Sequence, residues 1–267
     1  MTLPRWLVLL TCFLLPASVA AEGNWDVQAR RCISLLDQSV ASAERKCLQA
    51  IQQAEKAGLA NELLANAMSR LGVFYDEKGR FDEAERMYRH SLNVKEKVYG
   101  PDSPELAKGI SNLAQLFWSR GWFEYTEPLF QRALSLREKA FGRNHPLVAN
   151  SLNSLGLLYW NQGRYAAAEP LFREALAIRE KHLGPGHPEV ATAVSNLAVL
   201  CEGTGKPAEA ESLYLRALDI REKALGPRHR LVVDSLNNLV LFYRGHGKAA
   251  EADRLAVRLA DISASER

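Results

Sequence analysis

REKHLGPGHPEVATAVSNLA runs from Arg179 to Ala198. Forty-two residues earlier, Arg137–Gly156 reads REKAFGRNHPLVANSLNSLG; forty-two later, Arg221–Val240 reads REKALGPRHRLVVDSLNNLV. Repetition at a fixed period is the signature of a stacked array, so the columns of that register decide the fold.

Five copies share the register. A leucine column holds Leu71, Leu113, Leu155, Leu197 and Leu239, and a small column beside it holds Gly72, Ala114, Gly156, Ala198 and Val240. An aromatic slot follows at Tyr75, Phe117, Tyr159, Cys201 and Tyr243, then glycines at 79, 121, 163, 205 and 247. A second small column (Ala84, Thr126, Ala168, Ala210, Ala252) precedes a second bulky one (Tyr88, Phe130, Phe172, Tyr214, Ala256). In copy two Leu106, Ile110, Leu113, Ala114 and Phe117 recur with helical spacing, and Thr126, Phe130, Ala133 and Leu134 form a matching stripe. The spacing therefore predicts two helices joined by a tight, glycine-capped turn. Gly100, Gly142, Gly184 and Gly226 end the second helices, and the basic residues of each REK suit the negative end of the helix dipole. Pro104, Pro146 and Pro188 sit where a new helix begins, whereas Pro128 and Pro170 fall inside second helices and should cost a hydrogen bond or a slight kink. A lone hairpin cannot cover both apolar stripes; a neighbour can, which is why the copies come in a row.

These columns resemble the tetratricopeptide repeat. The family period is about 34 residues; the period of 42 and the run GRNHPLVANSLNSLGLLYWNQGRYAAAEPL resemble its longer, kinesin-light-chain-like subgroup. The resemblance covers residues 59–262 and implies an all-α fold, an α-solenoid coiled as a right-handed superhelix. It implies five hairpins (59–100, 101–142, 143–184, 185–226, 227–262) after a degenerate N-terminal hairpin at 22–58, with a tail at 263–267. Protein binding is the property it implies for function.

MTLPRWLVLLTCFLLPASVAAEG opens the chain with one basic residue, an apolar run and small residues, the pattern of a signal peptide (1–21) cleaved after Ala20 or Ala21. The expectation is an exported protein, periplasmic or secreted, with no integral membrane segment after cleavage. Cys32 and Cys47 fall on the two arms of the degenerate hairpin, and in an oxidising compartment they are expected to form a disulfide, the alternative being two buried thiols. Cys201 reads as a small core residue.

Of 267 residues 34 are basic and 31 acidic, a formal charge of +3 with no block of like charge, which argues against nucleic acid as partner. No nucleophile elbow, P-loop, HExxH or CxxC occurs, so no enzyme and no cofactor is expected. His145, His187 and His229 are spaced by one repeat, too far apart to share a metal ion; they read as turn residues, and no metal site is expected.

The face of each first helix opposite its apolar stripe carries the candidate site. Copy two presents Lys108, Ser111, Asn112, Gln115 and Trp118; copy three Asn150, Asn153, Ser154, Leu157 and Trp160; copy four Thr192, Ser195, Asn196, Val199 and Glu202; copy five Asp234, Asn237, Asn238, Leu241 and Arg244. The family resemblance implies that this face lines the concave groove, that Asn112 stands where peptide-clamping members hold an asparagine, and that Lys108 matches a clamp cation; Asp234 breaks that clamp. Asparagine amides donate and accept, so Asn112, Asn196 and Asn238 in one column, with Asn153 and Asn237 in the next, suit the backbone of an extended peptide. The expected groove residues are Lys108, Asn112, Gln115, Trp118, Asn150, Asn153, Trp160, Asn196, Asn237, Asn238 and Arg244. The expected partner is a protein or peptide segment. The alternative is a structural part that self-associates or docks into a larger envelope complex.

Overall fold

The computed structural model describes residues 17–38 and 42–264. Most of the expected leader, residues 1–16, lies outside the described residues. The chain divides into two compact units, Met1–Pro101 and Asp102–Arg267. The first holds α1 (Ala17–Asp37), α2 (Ala43–Lys56), α3 (Glu62–Glu77) and α4 (Phe81–Tyr99). The second opens with a 3-10 turn at Pro104–Leu106 and continues through α5 (Ala107–Ser119), α6 (Phe123–Phe141), α7 (Pro146–Asn161), α8 (Tyr165–Leu183), α9 (Pro188–Gly203), α10 (Pro207–Leu225), α11 (Arg230–Gly245) and α12 (Ala249–Ala264). Helix α1 begins at Ala17 and so runs past both expected cleavage points, earlier than the boundary at residue 22. Among the described residues there is no strand, and no helix is long and apolar enough to cross a membrane.

In the second unit each helix packs against the one before it and the one after it. The leucine column is buried throughout, and Phe130, Phe172 and Tyr214 project from the second helices into the same core. The small column permits that approach. A Cβ built on Gly156 would lie 2.7 Å from Cε1 of Phe172, closer than carbon atoms can pack.

The turns are closed by backbone geometry. At Gly163 (φ +72°) the glycine N–H donates to Trp160 O at 2.9 Å and the Arg164 N–H to Tyr159 O at 2.8 Å, the paired bonds of a Schellman cap. Gly184, after α8, has φ 81° and ψ 154°, a region that only glycine occupies without strain. Gly184→Ala meets open space, so its expected cost of about 1–3 kcal/mol is backbone strain alone; urea denaturation reads it. The histidine column caps the next helices. Nδ1 of His145, His187 and His229 accepts the N–H of Leu147, Glu189 and Leu231 at 3.2, 3.2 and 3.1 Å, satisfying donors that a helix start leaves free. Asn61 and Ser103 do the same in copies one and two. Helices α6 and α8 continue through Pro128 and Pro170.

One edge is fastened by a recurring ion pair. The Tyr159 hydroxyl donates to Glu127 Oε1 at 2.8 Å, and Arg164, stacked 4.0 Å over the Tyr159 ring, reaches Glu127 Oε2 at 2.7 Å. Lys206 meets Glu169 and Lys248 meets Glu211 in the next copies, and Glu44, Tyr75 and Arg80 repeat the arrangement in the first unit. The Tyr75 hydroxyl is pushed up to about 12 by burial and by Glu44. Lys248 holds the Glu211 carboxyl below its usual range; at Glu127 burial pushes upward, but the bonds from Arg164 and Tyr159 outweigh it. Depressed carboxyl values stabilise the fold above the unfolded value of about 4.3 and lose that contribution as pH falls through the lower folded value. A melting-temperature series below pH 5 should therefore fall more steeply for the wild type than for Glu127→Gln/Glu211→Gln.

Cys32 on α1 and Cys47 on α2 are bonded, with Cα atoms 5.0 Å apart and both side chains fully buried. The bond closes a separation of 15 residues, which in the chain-entropy picture stabilises by about 3 kcal/mol. Intact mass under non-reducing conditions should show the pair two hydrogens light, and Cys32→Ser/Cys47→Ser should lose stability of that order. Cys201 is a free, buried thiol whose pKa burial pushes up.

Candidate functional site

All eleven expected groove residues lie in the second unit, on α5, α7, α9 and α11. Lys108, Gln115, Asn150, Asn237 and Arg244 are exposed; Asn112, Trp118, Asn153, Trp160, Asn196 and Asn238 are half-buried. The structure brings two of the asparagines together. Asn196 Nδ2 donates to Asn153 Oδ1 at 2.7 Å, joining α9 to α7 across one repeat. The link is diagonal, from one asparagine column to its neighbour, so both amides keep part of their bonding capacity and lose part of it. Asn112 and Asn238 have no side-chain hydrogen bond among the described residues, and Asn150 Oδ1 accepts from Arg179. The serines of this face bond to their own helices instead: Ser111, Ser154 and Ser195 donate to the carbonyl four residues back. The asparagines are thus the main amide resource of the face.

The tryptophans occupy the other side of the same face. Trp118 meets Phe130 edge-on, with ring centroids 6.5 Å apart. The Trp160 indole N–H is buried without an acceptor, an open donor of the kind that folded proteins seldom leave unpaired. Leu157 and Val199, in the column between the asparagines and the tryptophans, are half-buried, and Leu241 is exposed.

Against Asn150 and Thr192 of this face lies a group of arginines. The arginines of the REK segments were expected near the helix ends, serving the dipole. Arg137, Arg179 and Arg221 are instead buried, at 9, 8 and 5% exposure. Each extends from a second helix toward the first helices. Arg137 Nη1 donates to Ser151 Oγ on α7, and Arg221 Nη1 to Ser235 Oγ on α11 at 2.6 Å. Copy four has Ala193 at the equivalent position. There Arg179 donates only through Nη2, to Asn150 Oδ1 at 3.0 Å, while Nε and Nη1 are buried and unpartnered. Arg221 also reaches Thr192 Oγ1 at 3.3 Å and leaves Nε unpartnered. No carboxylate bonds to any of the three, and burial lowers the pKa of each. Glu189 and Asp234 act on Arg179 and Arg221 only at longer range and do not offset burial, so three buried cations without a bonded carboxylate are an unusual cost for a core. The available signal was the column itself: arginine three times at one position, with serine or alanine fourteen residues later.

The tetratricopeptide repeat profile matches residues 63–124, 124–181, 155–223 and 189–264. The chain belongs to the tetratricopeptide repeat family. Among solved structures, BtubC (BKLC) from P. vanneervenii is similar at 21% identity over 92% of both chains, with a TM-score of 0.69. A putative kinesin light chain repeat protein from Podospora anserina is similar at 22% identity, over 78% of this chain and 99% of that one, with a TM-score of 0.66. The apo form of RapI superposes with a TM-score of 0.71 at 15% identity, over 90% of this chain and 64% of that one. At such identities the likeness is one of fold. No curated protein matches the sequence. Tetratricopeptide repeats generally mediate protein–protein interaction and are typically non-catalytic scaffolds.

Proposed function

We propose that this chain is an exported, non-catalytic adaptor that holds an extended segment of a partner protein on the first-helix face of its second unit. The observation carrying the proposal is the set of buried guanidiniums of Arg137, Arg179 and Arg221, none bonded to a carboxylate among the described residues, two of which reach Asn150 and Thr192 of this face. A bound chain with acidic side chains supplies close counter-charge, which Glu189 and Asp234 give Arg179 and Arg221 only at longer range, and charge-assisted bonds are about twice as strong as neutral ones. Asn112, Asn196 and Asn238 bond the segment's backbone, and Trp118 and Trp160 flank its apolar side chains.

A random peptide library displayed on phage tests this. Selection on the wild type should enrich acidic segments. Asn112→Ala/Asn196→Ala/Asn238→Ala should lose them by at least about tenfold, the effect of one or two backbone hydrogen bonds, with helicity unchanged and stability lowered by no more than the Asn196–Asn153 bond, about 1 kcal/mol. Equal capture by the triple variant would remove the asparagine columns from the account.

A further inference from the structure

The loops joining second helices to the next first helices form an edge of the second unit that the groove does not use. Three loops, 139–147, 181–189 and 223–231, carry six cations, Lys139, Arg143, Lys181, Lys223, Arg228 and Arg230, against one carboxylate, Glu189. Arg143 and Lys223 are bonded to Glu174 and Asp219; Lys139, Lys181, Arg228 and Arg230 are exposed and have no ion-pair partner among the described residues. The glutamates just before the loops do not cancel this charge. Glu180 and Glu222 are engaged by Arg216 and Arg258, and Glu138 is half-buried beside Arg143. The first two loops are held together, since His182 Nε2 lies 2.7 Å from Asn144 O. From them project Phe141, Leu147 and Leu183, at 43, 39 and 38% exposure. The opposite edge is different: there Arg164, Lys206 and Lys248 are each bonded to a glutamate.

A shaped protein partner is met by pockets and a contiguous patch. Here two apolar side chains on the first loop and one on the second stand among exposed cations. They suit a fluid, negatively charged surface that needs no complementary relief. We propose that this loop edge docks on an anionic lipid surface. Phe141, Leu147 and Leu183 enter the headgroup layer, and Lys139, Lys181, Arg228 and Arg230 meet lipid phosphates. The inference is independent of the groove and would leave the groove face open to its peptide.

Co-sedimentation with vesicles tests it, using phosphatidylcholine alone and phosphatidylcholine mixed with phosphatidylglycerol. The full chain should sediment with the mixed vesicles only, and should be released near 1 M salt, where screening acts within about 3 Å. Lys181→Glu/Arg228→Glu/Arg230→Glu should bind at least roughly 100-fold more weakly, at about fivefold for each of the three cations lost before the added negative charges count, and Phe141→Ser/Leu183→Ser should also weaken binding. Asn112→Ala/Asn196→Ala/Asn238→Ala should sediment like the wild type, which separates failure here from failure of the groove. Wild-type protein that stays in solution with the anionic vesicles overturns the proposal and leaves the basic edge to an acidic protein. So does salt-insensitive sedimentation, whether or not the charge-reversal variant folds.

Discussion

Phe172→Ala is expected to destabilise the second unit by about 3–5 kcal/mol, the range for truncating a buried aromatic side chain. Phe172 is 2% exposed and shares one core with Leu155, Tyr159, Leu197, Ala198 and Cys201, side chains of its own hairpin and the next. Its ring also fills the space over Gly156, where no Cβ fits. Removing it opens a cavity on both sides of a hairpin boundary, and neither neighbour can collapse into it without moving a helix. The melting temperature should fall by roughly 6–20 °C, at about 2–4 °C per kcal/mol for a unit of this size. The last copy carries Ala256 in this column, so Ala256→Gly should cost only about 1 kcal/mol, near the helix-propensity difference. A loss below about 1 kcal/mol for Phe172→Ala would mean that the second bulky column does not join the hairpins.

Arg179→Met is expected to act in opposite directions on stability and on binding. The buried Nε and Nη1 of Arg179 have no acceptor, and an unsatisfied buried polar group costs about 1–3 kcal/mol. Methionine follows the arginine side chain as far as Nε and removes the unpaired donors, as replacements of buried charges by apolar residues often do. The variant should melt roughly 2–4 °C higher, for about 1 kcal/mol gained, while its affinity for an acidic segment falls at least about tenfold. Arg137→Met should not gain in this way, because Arg137 already donates to Ser151 and the change would orphan that hydroxyl. A purely architectural role predicts the reverse for Arg179→Met: lower melting and unchanged binding.

The fold was legible because each hairpin repeats the same physical problem. Leu113, Leu155 and Leu197 had to face a core, and Gly121, Gly163 and Gly205 had to turn the chain left-handed; their spacing says so without coordinates. The N-terminal hairpin was readable from Cys32 and Cys47 on its two arms, though not its start, since the pattern of a leader and that of a helix overlap between Ala17 and Ala21. The histidine column was legible as a turn but not as a cap, because the bond that Nδ1 accepts depends on a rotamer. The site was half legible. The periodic face of α5, α7, α9 and α11 followed from helical spacing. The diagonal bond from Asn196 to Asn153 did not, because it depends on how far one hairpin slides against the next. The arginines were misassigned for a related reason. An arginine near a helix end is ordinarily solvated, and only the next hairpin, laid over Arg137, Arg179 and Arg221, turns them into buried cations.

The account rests on where a partner segment lies. Photo-crosslinking decides it most directly, using an acidic peptide recovered from the library with a photoreactive residue at each position in turn, and mass spectrometry to locate the attachment points. The account predicts attachment along α5, α7, α9 and α11, around Asn112, Trp160, Asn196 and Asn238. Attachment confined to α8, α10 and α12, or to the first unit, would contradict it.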